Sequence, residues 1–343
     1  MRSLGEVPEP LNVLVAMPVH EEWLARIRAA APDAVIDCRD PITPGEKLPE
    51  AELRDRTVLF ADHAPANAEA LASLRWLQLG SAGYQQLAGL PLPDGVRVTN
   101  GSGVNDVPIA EWCVLMILAL GRRLPQSLRD QAACRWDRDV TYQIELRGRR
   151  VGIFGYGSIG REVGRLCRGL GLEVWALSRS GFEPRPLRFR PAAADGDSDP
   201  EPDRGFGPSE LPEFLAGLDV LVVTAPLTDE TRGAFGAREL ALLPPRAVLL
   251  NPARAHIVDE AALLDALRSG RLAGAALDSH YREPMPPDDP FWTAPNTIVT
   301  PHVSGSTGSP HFSSRLWELF AQNLDRYRAG RPLLNEIADR DWR

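Results

Sequence analysis

The chain has 343 residues, with 38 Lys and Arg against 46 Asp and Glu for a net charge of −8, and 44% of its residues are hydrophobic. At roughly 150 residues per domain this allows about two ordinary cores and excludes a disulfide mini-protein, a coiled coil and a disordered chain. An acidic chain without a basic stripe is repelled by nucleic acid, and four scattered cysteines (Cys38, Cys113, Cys134, Cys167), outside any CxxC pairing, fit neither a disulfide framework nor a metal site but a reducing compartment.

The opening MRSLGEVPEP has no apolar run and reads as a short polar lead-in rather than a secretory or transit signal. From Leu11 onward, short apolar runs alternate with helical stretches: LNVLVAMPV as a strand, EEWLARIRAAA as a helix, then AVIDC, TVLFA, LRWLQLG and VRVTN as strands. That interleaving predicts a parallel sheet covered on both faces, in a first unit ending near Asn100. A long apolar helix follows, about Val107 to Leu120. Its longest apolar run, Trp112 to Leu120, is nine residues, far below the ~20 that span a bilayer, so no membrane partner and a cytoplasmic location are expected. A polar connection rich in Arg and Gln leads to Arg150.

A βαβ half-unit comes next: a strand (Val151–Phe154), a glycine-rich turn, a helix (about Ile159–Gly169) and a second strand (Leu172–Leu177). Residues 181–208, dense in Pro, Gly and Asp, read as a surface excursion. The α/β alternation then resumes with SELPEFLAG (helix), DVLVVTAP and RAVLLNPA (strands), DEAALLDALRSG (helix), GAALD and NTIVTP (strands), and a final helix from about Pro310 to Arg328.

The turn carries Gly155, Gly157 and Gly160 in GxGxxG. The first glycine permits the tight turn, the second lets the main chain approach a pyrophosphate, and the third packs helix on strand, with Ser158, Ile159 and Gly160 at the helix N-terminus facing the anion. An NAD site usually has a carboxylate at the tip of the next strand. Here that strand ends Leu177-Ser178-Arg179-Ser180, and Glu173 lies at its opposite end. A guanidinium flanked by hydroxyls suits a 2′-phosphate, so NADP(H) is the expected cofactor, with NAD(H) as the other choice.

Three ionisable residues follow successive predicted strands: Arg254, Glu283 and His302. Ligands of open α/β sheets bind outside the carboxyl ends of the strands. Together the three supply a cation for a carboxylate and carbonyl oxygen, a proton donor, and a carboxylate to orient the imidazole.

The chain resembles the D-isomer-specific 2-hydroxyacid dehydrogenases through LRWLQLGSAG, GYGSIG, APLTDETRG, LLNPARAHIVDE, ALDSHYREP and TPHVSGST, in that order. WALSRSG and YREPMPPDDPFW point to the glyoxylate/hydroxypyruvate reductase-like branch. The resemblance implies an α/β protein of two domains, a Rossmann-type doubly wound parallel sheet (104–303) inserted into a flavodoxin-like substrate domain (1–103, completed by 304–343). It implies catalysis by Arg254, Glu283 and His302, cofactor contacts from Pro226, Ala253 and Asp278, substrate-carboxylate contacts from Ser81, Ala82, Gly83 and Arg254, and a homodimer formed across the helix near 107–120. The substrate class implied is a small 2-oxo or D-2-hydroxy acid. The rival reading is a non-catalytic NAD(H)-sensing protein similar to corepressors of the same fold, and phosphoglycerate dehydrogenase is disfavoured because no regulatory domain follows Arg343. Two features depart from the family pattern: Ala255-His256 in place of a glycine after the arginine, and the length of the insert near 190–205.

Overall fold

The computed structural model describes residues 11–138, 144–183, 187–191 and 200–338. The lead-in, part of the Arg/Gln connection and much of the 181–208 excursion therefore lie outside the described residues. The chain divides into two compact units, one drawn from Met1–Asn105, Arg185–Gly196 and Thr307–Arg343, the other from Asp106–Pro184 and Asp197–Ser306.

In the first unit, β1 (Asn12–Ala16), β2 (Val35–Cys38), β3 (Val58–Ala61), β4 (Trp76–Gln78) and β5 (Arg97–Thr99) pair in parallel in the order β5-β4-β3-β1-β2, the order of flavodoxin-like sheets. Successive strand residues point to opposite faces, so the apolar runs feed two cores. Val13, Val15, Val58 and Phe60 pack with Leu316, Trp317 and Phe320 of the Pro310–Arg328 helix, while Leu14, Ala16, Leu59 and Ala61 pack with Leu77 and Val98 on the other side. The predicted all-parallel sheet has one exception. Glu336–Ile337 adds an antiparallel edge to β5, a two-residue strand too short to leave a period in the sequence.

In the second unit, β6 (Arg150–Phe154), β7 (Glu173–Leu177), β8 (Arg204–Phe206), β9 (Val220–Val223), β10 (Val248–Asn251), β11 (Gly274–Leu277) and β12 (Thr297–Val299) form a seven-stranded sheet. Every pairing is parallel and the order is β12-β11-β10-β9-β6-β7-β8, so the direction of winding reverses between β6 and β9. That reversal defines a doubly wound Rossmann-type sheet and puts its ligand crevice at the carboxyl ends of these two strands. Leu221 and Val223 face one core with Phe214 and Leu263; Val220 and Val222 face the other with Cys113, Ile117 and Val163.

Two stretches differ from their sequence reading. The polar connection contains a helix, Leu124–Ala132, whose leucines 124 and 128 are exposed. With no apolar stripe toward a core it carries no helical period. The excursion ends in β8, where Phe206 is buried against Trp175 and Phe214, and Phe189 within it is fully buried in the first unit's core. One aromatic at a time anchors these segments, and a single buried aromatic has no periodicity to read. Among the described residues, no helix is long and apolar enough to cross a membrane.

Candidate active site

The glycine turn joins β6 to the Ser158–Gly169 helix at the point where the winding reverses. Gly155 has φ +97°, and a Cβ there would lie 2.6 Å from the main-chain N and Cα of Ala225, beyond the end of β9. A Cβ on Gly160 would meet the Gly155 carbonyl at 2.5 Å, so this glycine lets the helix seat on the turn. A Cβ on Gly157 would meet nothing within 4 Å among the described residues. Arg161 donates the first helical N–H to Gly157 O at 3.0 Å, which leaves the N–H groups of Ser158, Ile159 and Gly160 without intrahelical partners at the positive end of the helix. This open, donor-rich cradle fits a dinucleotide pyrophosphate.

β7 ends at Leu177. Ser178 is buried and donates its N–H to Phe206 O at 3.0 Å, and its Oγ accepts the Ser180 N–H at 3.3 Å. Arg179 is exposed, and its Nη1 contacts Glu230 Oε2 at 2.5 Å. Glu230, within the TDETRG segment, is a residue the sequence reading missed; only its spatial return to the tip of β7 reveals it. Glu173 at the other end of β7 accepts from the Trp175 indole at 2.7 Å, and this bond, with Arg150 beside it, holds its carboxyl below the usual range. After β9, exposed Pro226 accepts the Thr231 hydroxyl on its carbonyl at 2.7 Å.

The loop after β10 is held by Asn251, which is buried. Its Oδ1 accepts the Ala253 N–H at 3.1 Å and its Nδ2 donates to Arg254 O at 3.0 Å. The Arg254 side chain is exposed, and its Nη1 donates to Ala253 O at 2.8 Å. The His302 and Glu283 side chains meet directly: Nδ1 lies 3.0 Å from Oε2 and 3.2 Å from Oε1. Glu283 Oε1 also accepts the His280 N–H at 2.9 Å. Partial burial pushes the Glu283 carboxyl upward, but the bonds from the His302 ring and the His280 main chain outweigh it and hold the group below its ordinary value. Because a carboxylate only accepts, the proton of Nδ1 faces Glu283 and leaves Nε2 for chemistry.

Asp278 is fully buried. Its Oδ1 accepts the Thr300 hydroxyl at 2.5 Å and the Val303 N–H at 2.9 Å, and its Oδ2 accepts the Ser304 N–H at 2.9 Å. The structure thus makes Asp278 an anchor for the loop that carries His302. Thr300 Oγ1 also accepts from the Trp112 indole at 3.2 Å, and Thr300 O lies 2.8 Å from His280 Nε2. None of these anchoring partners except Asp278 was singled out from the sequence, since a neutral Thr or a Trp in a helix has no signature of its own.

In the first unit, the loop after β4 holds Ser81, Ala82 and Gly83. Asn100 Nδ2 donates to Ala82 O at 2.7 Å, the Gly101 N–H donates to Ser81 O at 2.7 Å, and Ser81 Oγ donates to Gly83 O at 2.9 Å. A Cβ on Gly101 would sit 2.4 Å from Gly80 O, so only glycine allows the two loops this approach. The loop's carbonyls are thus occupied, and its three N–H groups face no protein acceptor among the described residues.

Residues 114–304 match the family model described as "D-isomer specific 2-hydroxyacid dehydrogenase, NAD binding domain". Among curated proteins, the chain is 33% identical over 244 residues to a glyoxylate reductase from Aeropyrum pernix, covering 69% of this chain and 68% of that protein. It is 28% identical over 335 residues to a D-3-phosphoglycerate dehydrogenase from Archaeoglobus fulgidus, covering 95% of this chain but 59% of that protein, so the chain spans well under two thirds of this longer relative. Among solved structures, a family member from Xanthobacter autotrophicus Py2 in complex with NADPH and MES superposes with a TM-score of 0.77 at 28% identity, over 98% of this chain and 100% of that one. An NADPH-dependent glyoxylate/hydroxypyruvate reductase from Sinorhizobium meliloti, in complex with NADP and sulfate, gives 0.73 at 27% identity, over 95% and 98%. With over half of its length matched to the cofactor domain and the doubly wound sheet in place, this chain belongs to the D-isomer specific 2-hydroxyacid dehydrogenases.

Proposed function

We propose that the chain reduces a small 2-oxo acid of the glyoxylate or hydroxypyruvate type to the D-2-hydroxy acid, with NADPH preferred over NADH. The observation that carries this reading is the 3.0 Å contact between His302 Nδ1 and Glu283 Oε2, on loops after β12 and β11 of the sheet that bears the glycine cradle. When bound, the reduced nicotinamide supplies the hydride. The protein's tasks are to bind, orient and protonate. Gly155, Gly157, Ser158, Ile159 and Gly160 receive the pyrophosphate; Ser178, Arg179 and Ser180 receive the 2′-phosphate; Pro226 and Ala253 line the remaining cofactor contacts. Asp278 serves the nicotinamide end through the loop it anchors.

His302, oriented through Nδ1 by Glu283, gives the proton on Nε2 to the carbonyl oxygen, which becomes the product hydroxyl. The Arg254 guanidinium withdraws electron density from that oxygen and binds the substrate carboxylate: Nη1 ties it to its own loop, and its other N–H groups have no partner among the described residues. The N–H groups of Ser81, Ala82 and Gly83 are a further set of donors suited to a carboxylate. Support for the substrate class comes from the glyoxylate reductases among the relatives, and for NADPH from the two solved structures that hold it or NADP.

A homodimer and a cytoplasmic location complete the reading. Leu115, Leu118, Leu124 and Leu128 are exposed along the Asp106–Gly121 and Leu124–Ala132 helices, apolar side chains that a second copy would cover, and all four cysteines are free. The test is oxidation of NADPH and NADH by the purified chain with a panel of 2-oxo acids. Turnover with glyoxylate or hydroxypyruvate and a higher kcat/KM for NADPH are expected. No turnover with any 2-oxo acid would overturn the assignment.

A further inference from the structure

Two devices secure the loop that carries His302. One is the buried Asp278 carboxylate; the other is the ring of a second histidine, His280. His302 has φ +56°, a left-handed conformation that a side chain other than glycine enters at a cost. Such a backbone persists only when its surroundings hold it. What closes this turn is the bond from the His302 N–H to Thr300 O at 2.9 Å. The same carbonyl lies 2.8 Å from His280 Nε2. A carbonyl can only accept, so Nε2 carries the proton and donates it. One residue thus reaches both halves of the imidazole–carboxylate pair: the His280 ring fixes the carbonyl that sets the His302 backbone, and the His280 main-chain N–H fixes Glu283 Oε1 at 2.9 Å.

We propose that His280 is a positioning residue for proton transfer, acting through the Thr300 carbonyl to hold His302 in its strained, Glu283-paired orientation. The inference rests on the proposed 2-oxo acid reduction and deepens it. His280 belongs to the segment after β11 and touches none of the cradle residues, so cofactor affinity should be indifferent to its ring, whereas the chemical step should not be.

His280→Phe keeps an aromatic ring and removes the donor. With the carbonyl released and the histidine free to shift, kcat is expected to fall about 10- to 100-fold, because misplacement by even ~1 Å of a reacting group has effects of that order. KM for the 2-oxo acid and Kd for NADPH should change less than about twofold, and 4-deuterated NADPH should give a larger isotope effect on kcat than in the wild type. His280→Gln, which restores a side-chain N–H donor, should recover most of the loss. A merely structural role would lower the folded fraction but not kcat per NADPH-binding site, and it would not be rescued by Gln. If His280→Phe does not fold, His280→Asn, whose shorter amide falls short of the carbonyl, takes its place with the same expected loss. Wild-type turnover together with undiminished kcat in the donorless variant, or no recovery in His280→Gln, overturns this inference alone. A wild type that turns over no 2-oxo acid overturns the proposed function and this inference with it.

Discussion

Replacing Asp278 by Asn is the sharpest perturbation of the loop that carries His302. The carboxylate accepts three hydrogen bonds in a fully buried setting, from the Thr300 hydroxyl, the Val303 N–H and the Ser304 N–H. An amide of the same shape keeps one acceptor oxygen. If that oxygen stays with Thr300 and Val303, the new NH2 faces the Ser304 N–H, so one charge-assisted bond is lost and two donors oppose each other out of reach of water. A bond to a charged group is worth ~1.5–3 kcal/mol, and a buried donor left unmatched costs ~1–3 kcal/mol, so the sum is about 2.5–6 kcal/mol. At roughly 2–4 °C per kcal/mol for a domain of this size, the expected Tm drop is on the order of 5–24 °C. The loop can escape part of that cost by opening locally, in which case Tm falls less and kcat falls more, because His302 is displaced from Glu283. Thermal unfolding followed by circular dichroism, together with steady-state turnover, reads both routes. An Asp278→Asn protein with wild-type Tm and wild-type kcat would refute the anchoring argument.

The glycine cradle gives a paired test. Gly155→Ala places a methyl 2.6 Å from the Ala225 main chain at a positive φ and should leave little soluble, folded protein, whereas Gly157→Ala, in open space, should leave Tm unchanged and weaken NADPH binding in a fluorescence titration. Glu230→Gln frees Arg179 from its carboxylate partner and should raise the ratio of kcat/KM for NADPH over NADH several-fold; Arg179→Ala should lower it, and an unchanged ratio in both would remove Arg179 from cofactor selection. The Glu283 carboxyl is held below its ordinary value of 4.5, so its contribution to stability is fully present above that value and disappears as pH falls through the lower folded pKa. Tm curves of the wild type and Glu283→Gln should accordingly stay apart at neutral pH and converge in acid. Curves that remain parallel into strong acid would contradict the pairing.

What could be read from the sequence was whatever leaves a period or a fixed spacing. The strands around Val13, Val58 and Val220 announce themselves because both faces of a parallel sheet are buried, and the glycine turn does so because sterics at Gly155 and Gly160 admit no alternative. The Leu124–Ala132 helix and β8 were invisible for the converse reason: the former buries no apolar stripe, and the latter is a three-residue edge in which Phe206 alone is buried. Arg254, Glu283 and His302 were recoverable as charges after successive strands. The Glu230 carboxylate beside Arg179 was not, because that contact joins residues 51 positions apart through two loops without regular structure.

The division of labour in the second unit explains why ionisable residues are easy to nominate and hard to place. Arg254, Glu283 and His302 all keep solvent access, as their proposed roles require, and exposed side chains of this kind have little intrinsic rigidity. Their positions are set one step inward, by polar groups that are buried and fully matched: Asn251 under Arg254, and Asp278 under the His302 loop. The first unit repeats the pattern, with buried Gln78, Thr99 and Asn323 joined at 2.8 and 3.0 Å beneath the strand that leads into Ser81–Gly83. A buried polar group left unmatched is costly, so each of these networks tolerates one arrangement and transmits it outward. Changing the exposed charge should therefore remove chemistry at a small cost in stability, whereas changing the buried partner should move chemistry and lower stability strongly, and that contrast separates the two kinds of residue by experiment.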